Sequence, residues 1–220
     1  MKSTNWFAVA GVATAFLFLS GSVAAFEITP VGATASSEGV DQSADNLINS
    51  SGLDGGGGAG DLDDLHDNNA GAATMWHAAV PDNPFAVPAL PQWVEFRLGG
   101  LYTLDAAYIW QMNQELLAPA RGANDLEISV SLTPGGPFTS VLNTNLAAED
   151  GSGPVDAQVV GGLGGVQARF VRFDITSAHS GLQEEFVGLS EVRFEGVPEP
   201  ASAGLAICGL ALGALRRKRR

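Results

Sequence analysis

The chain has 220 residues, of which 45% are hydrophobic, and its single cysteine, Cys208, lies near the C-terminus. All 24 carboxylate side chains lie between Glu27 and Glu199, where five arginines are the only cations, so this span carries a net charge of −19 (5 − 24). This composition excludes a disulfide before residue 208, and it excludes nucleic acid as a partner, which would need clustered lysine and arginine.

The N-terminus has the pattern of a secretory signal peptide. Lys2 precedes an apolar run at 6–19, and small residues follow that run up to Ala25. A short apolar region between a cation and small residues is removed during export. We therefore predict that residues 1–25 are a signal peptide cleaved after Ala25, and that the following residues leave the cytoplasm.

A long loop is predicted at 54–71, where the sequence DGGGGAGDLDDLHDNNAG is rich in glycine and aspartate and almost without apolar side chains. The spacing of its aspartates lacks the central glycine and the closing glutamate of an EF-hand loop. Two interpretations stay open for this segment. It is either a flexible solvated loop or an acidic loop that collects calcium.

The residues after this loop alternate between apolar and polar with a period of two. The segment WVEFRL at 93–98 shows this pattern, which recurs at 126–132, 171–176 and 191–195, with the charged residues expected on the solvent face. The glycine-rich segments LGG, TPGGP and GGLGG separate these runs. Half-buried strands at such spacing predict an antiparallel sandwich or barrel. No long stretch of 26–196 has a helical period, so the predicted fold class is all-β.

Catalytic motifs are missing between the two ends of the chain. There is no G-x-S-x-G, no H-E-x-x-H and no cysteine nucleophile, and the spacing of the three histidines does not indicate metal ligands. We therefore predict that the protein is not an enzyme.

Several short segments share their order and content with a known family. They are ATASSEGVDQSADNLINSSGL from Ala33, TMWHA from Thr74, PQWVEFRLGG from Pro91, RGANDLEISVS from Arg121, ARFVRFDITSAHSG from Ala168 and VGLSEVRFEG from Val187. Together they resemble the discoidin family, the galactose-binding-like domains that include coagulation-factor C domains and family 32 carbohydrate-binding modules. The resemblance covers about residues 30–196. It implies a jelly-roll β-sandwich of about eight strands, whose loops at one end bind glycans, lipids or proteins.

The resemblance also implies a structural calcium ion where an N-terminal loop meets the last strand. The family pattern there is Asn-Ala-Ile-Asp-Gly, a later Thr-x-Trp, and a glutamate in the closing strand. The matching ligands in this chain are Asn46, Asn49, Thr74 and Glu191. Asn49 replaces the usual aspartate, so the site lacks one negative charge unless Asp54 or the aspartates of 61–67 supply it. The asparagines are alternatively plain turn residues, and Glu191 an exposed strand residue.

Sugar binding needs a flat apolar surface and planar polar groups for the hydroxyls. Loop residues that could supply the polar groups are His77, Asn113, Gln114, Arg121 and His179. Arg121 could instead pair with Asp125, and both histidines are compatible with surface or turn positions. Trp76, Trp93 and Trp110 fall in apolar strands and are predicted to be core, so no aromatic platform stands out.

The C-terminal segment combines Pro198-Glu199-Pro200, an uncharged run at 201–215 and five cations at 216–220. A helix over that run reaches about 22 Å, short of the ~30 Å hydrocarbon core, so it predicts a short, temporary transmembrane anchor with its basic end in the cytoplasm. The combination resembles the PEP-CTERM sorting signal of Gram-negative bacteria. In that family the membrane protease exosortase recognises the Pro-Glu-Pro region and removes the tail. A short core helix would have no use for five terminal cations.

The sequence thus predicts a signal peptide at 1–25, a discoidin-like β-sandwich at 26–196 and a sorting signal at 197–220. The predicted function is an exported binding module for extracellular polysaccharide or another glycan. Its predicted partners are that glycan and an exosortase-type protease. We expect an inner-membrane-anchored intermediate before the protein reaches the cell surface or matrix. The alternative is a scaffold protein of the matrix or biofilm without a specific sugar ligand.

Overall fold

The structure, a computed structural model, describes residues 24–54, 61–69, 74–80, 88–115, 121–179 and 186–199. Its strands are β1 (Phe26–Ile28), β2 (Gly32–Ala35), β3 (Trp76–His77), β4 (Gln92–Gln111), β5 (Asp125–Ser131), β6 (Thr139–Asn145), β7 (Gln158–Ile175) and β8 (Gly188–Pro198). A single turn of 3-10 helix, Ala44–Leu47, lies between β2 and β3. None of the helices in these ranges is long and apolar enough to span a membrane. Most of the predicted signal peptide and the tail from Pro200 onward lie outside the described residues.

The strands form an antiparallel sheet in the order β1-β8-β4-β7-β5-β6, with β2 added to β4 and β3 added to β8. This confirms the predicted all-β class and the strand number. The first part of β4, 92–97, pairs with β2 and with 170–175 of β7. The second part, 102–111, pairs with β8, and its residues 102–109 also pair with 158–168 of β7. The two long strands β4 and β7 therefore belong to both layers of the sandwich.

Two of the three glycine-rich segments lie inside strands, so the prediction that they separate strands is wrong for LGG and GGLGG. The pairing of β4 with β7 shifts register between Arg97 and Tyr102, where Gly99 has a φ of 80°. It shifts again between Leu104 and Ala106, opposite a β7 segment in which Gly162 has a φ of 84°. Glycine tolerates this left-handed backbone, so it allows a bulge that bends the strand without ending it. The TPGGP segment does separate β5 from β6.

Three phenylalanines join the two layers in the core. Phe96 and Phe173 lie on neighbouring strands, with ring centroids 5.1 Å apart, and Phe194 of β8 packs edge-on against both, at 5.7 and 6.0 Å. Burying side chains of this size contributes about 1.5–3 kcal/mol each. The alternation predicted these positions correctly. It fails at Leu132, which is 54% exposed because β5 ends at the preceding residue.

The tryptophans divide between the core and the surface. Trp76 and Trp110 are fully buried, as predicted. Trp93 is only half-buried and is absent from the buried core, so its predicted core position is wrong. The same alternation explains this, because Val94 faces inward and its neighbour must face outward. The guanidinium of Arg172 lies 4.7 Å from the Trp93 ring centroid on that outer face.

The second half of the glycine- and aspartate-rich segment is anchored to the sandwich. His66 is fully buried and exchanges backbone hydrogen bonds of 2.9 Å with Val155 in both directions. The indole N–H of Trp110 donates to the carbonyl of Asp64 at 2.8 Å. The interpretation of this segment as a flexible solvated loop is therefore wrong for residues 61–69.

Candidate functional site

Two polar clusters lie at the points where loops meet β8, and their arginines have different neighbours. The loop–strand cluster consists of Glu27, Ser50, Glu191 and Arg193. The ring cluster consists of His77, Arg121 and Phe186. The first contains a residue predicted to bind calcium, and the second contains two residues predicted to bind a ligand.

In the loop–strand cluster, Glu191 is 0% exposed, so its alternative interpretation as an exposed strand residue is wrong. The loop that follows the 3-10 helix covers it. Glu191 Oε2 accepts a hydrogen bond from the backbone N–H of Ser50 at 3.2 Å, and Oε1 accepts one from Nη1 of Arg193. Burial raises the pKa of the Glu191 carboxyl, and its contacts with Arg193 and with the Ser50 N–H oppose that rise.

Arg193 was expected on the solvent face of its strand but is only 1% exposed. Its Nη2 donates to Ser50 Oγ at 2.6 Å, and its Nη1 also donates to the carbonyl of Val192 at 3.0 Å. Its Nε lies 3.4 Å from Glu27 Oε1, an ionic contact without hydrogen-bond geometry. The guanidinium therefore contacts three segments that are far apart in the sequence.

The oxygens of the two predicted asparagine ligands are already used within the loop. Asn46 donates its Nδ2 to the carbonyls of Asp41 and Met75, at 3.1 and 3.0 Å, and its Oδ1 accepts from Asn49 Nδ2 at 3.4 Å. Asn49 Oδ1 accepts the Ser51 N–H at 2.8 Å. These contacts match the alternative interpretation of the asparagines as turn residues.

The four predicted ligands do not fit a calcium ion in this arrangement. Glu191 and the two asparagines have their acceptor oxygens engaged, and a guanidinium touches the carboxylate. Thr74 Oγ1 is buried and has no hydrogen-bond partner among the described residues. In the same part of the chain, no group of three or more His, Cys, Asp or Glu residues is placed to hold a metal. Calcium binding itself stays a prediction, which a titration can decide.

The ring cluster is built at the start of β8. β3 pairs His77 with Gly188, and the Gly188 N–H donates to the carbonyl of Arg121 at 2.8 Å. Phe186 lies just before that strand. Its ring stacks on the His77 imidazole with centroids 5.0 Å apart and planes 16° apart, and Arg121 Cζ lies 4.7 Å from its centroid.

The electrostatics of this cluster keep His77 neutral at pH 7. Burial lowers the pKa of His77 to about 4, and the Arg121 charge acts in the same direction. Burial also lowers the pKa of Arg121. His77 Nε2 is buried and has no hydrogen-bond partner within the described part of the chain. A neutral imidazole can donate from one ring nitrogen and accept at the other.

The remaining predicted ligand residues lie where β4 and β7 end. Asn113 and Gln114 are buried, and Asn113 Nδ2 donates to the carbonyl of Gly153 at 2.6 Å. Asn113 Oδ1 is buried without a hydrogen-bond partner in the described ranges. His179 Nε2 lies 3.0 Å from the carbonyl of Leu146, and its backbone N–H donates to the carbonyl of Gly122. Of the five predicted residues, His77 and Arg121 are the two that meet on the Phe186 ring.

Sequence analysis missed Phe186. The residue lies in FVGLSEVRF, directly before the closing strand, and a lone aromatic residue outside an alternating run carries no periodic signal. Asp125, which was considered as a partner for Arg121, accepts hydrogen bonds from Ser177 Oγ and Asn145 Nδ2.

The Pro-Glu-Pro region begins at the C-terminal end of β8. β8 extends to Pro198, beyond the predicted domain boundary at residue 196. The Glu199 N–H donates to the carbonyl of Leu101 at 3.0 Å, and its carboxylate accepts from Thr103 Oγ1. This hydrogen bond lowers the pKa of Glu199. Pro200 lies outside the described residues.

Comparison with solved structures places the fold among carbohydrate-binding modules. The family 32 CBM of Clostridium perfringens NanJ, solved in complex with galactose, aligns with a TM-score of 0.50 and 17% identity, over 77% of this chain and 99% of that one. The CBM32-1 and CBM32-2 domains of C. perfringens ZmpB align with a TM-score of 0.51 and 15% identity, over 76% of this chain and 34% of that one. These likenesses show a common jelly-roll fold.

A search of proteins with curated functions finds no match. The family comparison is decisive, because the F5/8 type C domain matches residues 32–186, which is most of the chain. The matched range contains β2 to β7 and all three residues of the ring cluster. This chain therefore belongs to the F5/8 type C domain family.

Proposed function

We propose that this protein is an exported, non-enzymatic binding module that attaches to extracellular polysaccharide or another glycan through the ring cluster. The observation that supports this most is the His77 Nε2 atom, buried beside an aromatic ring without a hydrogen-bond partner among the described residues. A buried polar atom without a partner costs about 1–3 kcal/mol. A ligand hydroxyl that bonded this nitrogen would recover that cost.

The three side chains of the cluster have complementary chemistry for a sugar. Arg121 presents a planar set of N–H donors, and neutral His77 offers one donor or acceptor to a hydroxyl. Phe186 holds both groups in place through its ring contacts. Asn113, Gln114 and His179 extend the candidate site along the same end of the sandwich.

Family membership and fold support the same proposal. The family 32 CBM of NanJ was solved with galactose, which makes galactose-containing glycans the first probes to try. The sequence contains none of the catalytic motifs considered above, and we propose a binding role without catalysis. The strongly acidic surface favours the alternative function, a matrix scaffold without a specific sugar ligand.

Binding can be tested on a glycan array with the purified full chain. We expect retention on a restricted set of glycans, and Arg121→Met should weaken that retention at least about tenfold, as for a lost charged hydrogen bond. Arg97→Met is the matched control, because Arg97 is exposed and donates only to the carbonyl of Val31 in the hydrogen bonds described. Absence of retention on every glycan would support the scaffold instead.

Export and sorting form a separate part of the proposal. The signal peptide at 1–25 would direct the chain out of the cytoplasm. An exosortase-type protease would then cut near Pro198-Glu199-Pro200 and release it from the inner membrane of a Gram-negative cell. Replacing these three residues with alanine should leave the tail uncut and the protein in the inner membrane. Release at the normal size would show that the tripeptide is incidental.

A further inference from the structure

We propose that the guanidinium of Arg193 takes the place of a bound divalent cation in this domain, and holds the N-terminal segments on the closing strand without any metal. In the related family pattern described above, a calcium ion joins the N-terminal loop to the last strand. Here a side chain of the last strand makes the same connection.

The contacts of Arg193 join the loop at residue 50 to the closing strand, as such an ion would, and they reach β1 where the ion would reach the Thr74 segment. The guanidinium touches Glu191 in its own strand, bonds Ser50 Oγ in the loop after the 3-10 helix at 2.6 Å, and lies 3.4 Å from Glu27 in β1. A guanidinium has five N–H donors in a rigid planar fork, so it can bond in several directions at once. Because its side chain is 1% exposed, water screens these contacts very little.

The charges of the cluster favour a monovalent cation over a divalent one. The family pattern would place an aspartate at position 49 beside Glu191, two negative charges that match Ca²⁺. This chain has Asn49 there, and its Oδ1 accepts the Ser51 N–H. Glu191 is then the one carboxylate among the four predicted calcium ligands, and the guanidinium that contacts it also lies beside Glu27. A divalent ion would have to enter beside a fixed positive charge at short range, which is unfavourable at low dielectric.

Ser50 shows how the loop accommodates Arg193. Its φ is 59°, a left-handed conformation that is uncommon for a residue other than glycine. In that conformation its N–H reaches Glu191 and its Oγ reaches Arg193, so one residue contacts both members of the buried pair. The family pattern has glycine at this position, which could supply the N–H but not the hydroxyl.

Two buried hydroxyls are the observation that a bound metal would explain. Thr74 Oγ1 and Ser51 Oγ have no hydrogen-bond partner among the residues described. The experiment must therefore be able to detect a specific calcium site. The same protein can be melted with EDTA, with magnesium chloride and with calcium chloride, since screening of the acidic surface affects both ions alike while a calcium site discriminates between them.

The thermal melts use the full chain purified in mild detergent, as wild type, Arg193→Met and the control Arg97→Met. Our proposal predicts equal midpoint shifts with calcium and magnesium in the wild type. It also predicts that Arg193→Met lowers the midpoint by roughly 10 °C, as expected for an uncompensated buried carboxylate, while Arg97→Met lowers it by only about 2 °C. Failure of Arg193→Met to fold while Arg97→Met folds counts as the same result.

Either of two results overturns the proposal. A wild-type calcium shift that exceeds the magnesium shift by about 5 °C or more would show that a metal holds the loop. An Arg193→Met midpoint within about 2 °C of that of Arg97→Met would show that the guanidinium holds nothing. The first result would also establish the calcium site predicted from the sequence.

Discussion

The loop–strand cluster and the ring cluster each contain an arginine next to β8, but Arg193 is buried and Arg121 only half-buried, and the two side chains have different surroundings. In the first, Arg193 faces carboxylates on two sides and a hydroxyl on a third. In the second, Arg121 faces an aromatic ring, and the neighbouring His77 keeps a nitrogen without a hydrogen-bond partner in the described residues.

The difference shows what each site is able to do. A buried charge whose contacts are satisfied within the protein stabilises the arrangement of those contacts and leaves little to offer a ligand. A buried polar atom without a partner costs stability in the free protein and gains a hydrogen bond when a ligand arrives. On this ground we propose a structural role for the first cluster and a recognition role for the second. The predictions that follow test this division.

The largest effect is expected in the loop–strand cluster. Glu191→Gln removes the carboxylate that contacts Arg193, and among the carboxylates of the described ranges it leaves the more distant Glu27 as the partner of the buried guanidinium. Breaking a buried ion pair from one side costs about 3–5 kcal/mol in the free energy of unfolding. Urea denaturation at pH 7 measures this loss in the free energy of unfolding. The control Glu95→Gln, on the half-buried outer face, should cost less than about 1 kcal/mol. A similarly small loss for Glu191→Gln would mean that the carboxyl is protonated in the folded protein.

The next effect is a pH dependence that belongs to the ring cluster. Because the pKa of His77 is about 4 in the folded chain against 6.5 ordinarily, the unfolded chain takes up a proton first as the pH falls. This contribution to stability is complete above pH 6.5 and is lost as the pH falls through 4, a loss of about 3 kcal/mol.

The measurement compares wild type and His77→Gln by urea denaturation at several pH values between 7 and 4. Carboxylates titrate in both proteins, so their difference isolates His77. We expect the wild type to lose more stability than the variant over this range. If the free energies of unfolding of the two proteins changed in parallel with pH, His77 would lie in a solvated environment. That result would remove the main argument for the ring cluster as a binding site.

A variant that gains calcium binding tests the same contrast between the two clusters. The double variant Asn49→Asp with Arg193→Gln restores the family's aspartate and removes the internal cation, so it should create a calcium site. At a calcium concentration a hundredfold above its Kd, binding adds about 2.7 kcal/mol. The midpoint of thermal unfolding should then rise by roughly 5–10 °C more with calcium than with magnesium. The single variant Asn49→Asp, which keeps Arg193, should show no such difference.

The smallest effect concerns Ser50. Ser50→Ala removes the hydroxyl bonded to Arg193 and keeps a side chain in the left-handed conformation, so we expect a loss of about 2 kcal/mol. Ser50→Gly loses the same hydrogen bond but relieves about 1 kcal/mol of backbone strain. The glycine variant should therefore be the more stable of the two by about 1 kcal/mol in urea denaturation. The reverse order would mean that the backbone at residue 50 is unstrained.

Much of the fold was predictable because it depends on local patterns. Alternation along four segments placed Phe96, Phe173 and Phe194 in the core, and the order of short segments indicated the family. The same alternation, applied strictly, also predicts Trp93 on the outer face of its strand, away from the core. The prediction is wrong there because a large apolar residue in an apolar run does not by its type reveal which face of the strand it occupies.

The candidate sites were predictable only in part. His77 and Arg121 were identified from the kind of group a sugar needs, but Phe186, which joins them, carries no periodic signal. Glu191 and Arg193 occupy alternate positions on a face that the pattern assigns to solvent. Nothing local reveals that a loop about 140 residues earlier in the chain covers that face.

Alternation and segment order are properties of neighbouring residues, so they were enough to predict the all-β class, the core face of most strands and the family. Tertiary structure decided whether glycine-rich segments end a strand or bend it, since this depends on the partner strand. It also decided which charges are buried together. Glu27, Ser50 and Arg193 come from distant segments, and their contacts exist only when β1 and the loop pack on β8.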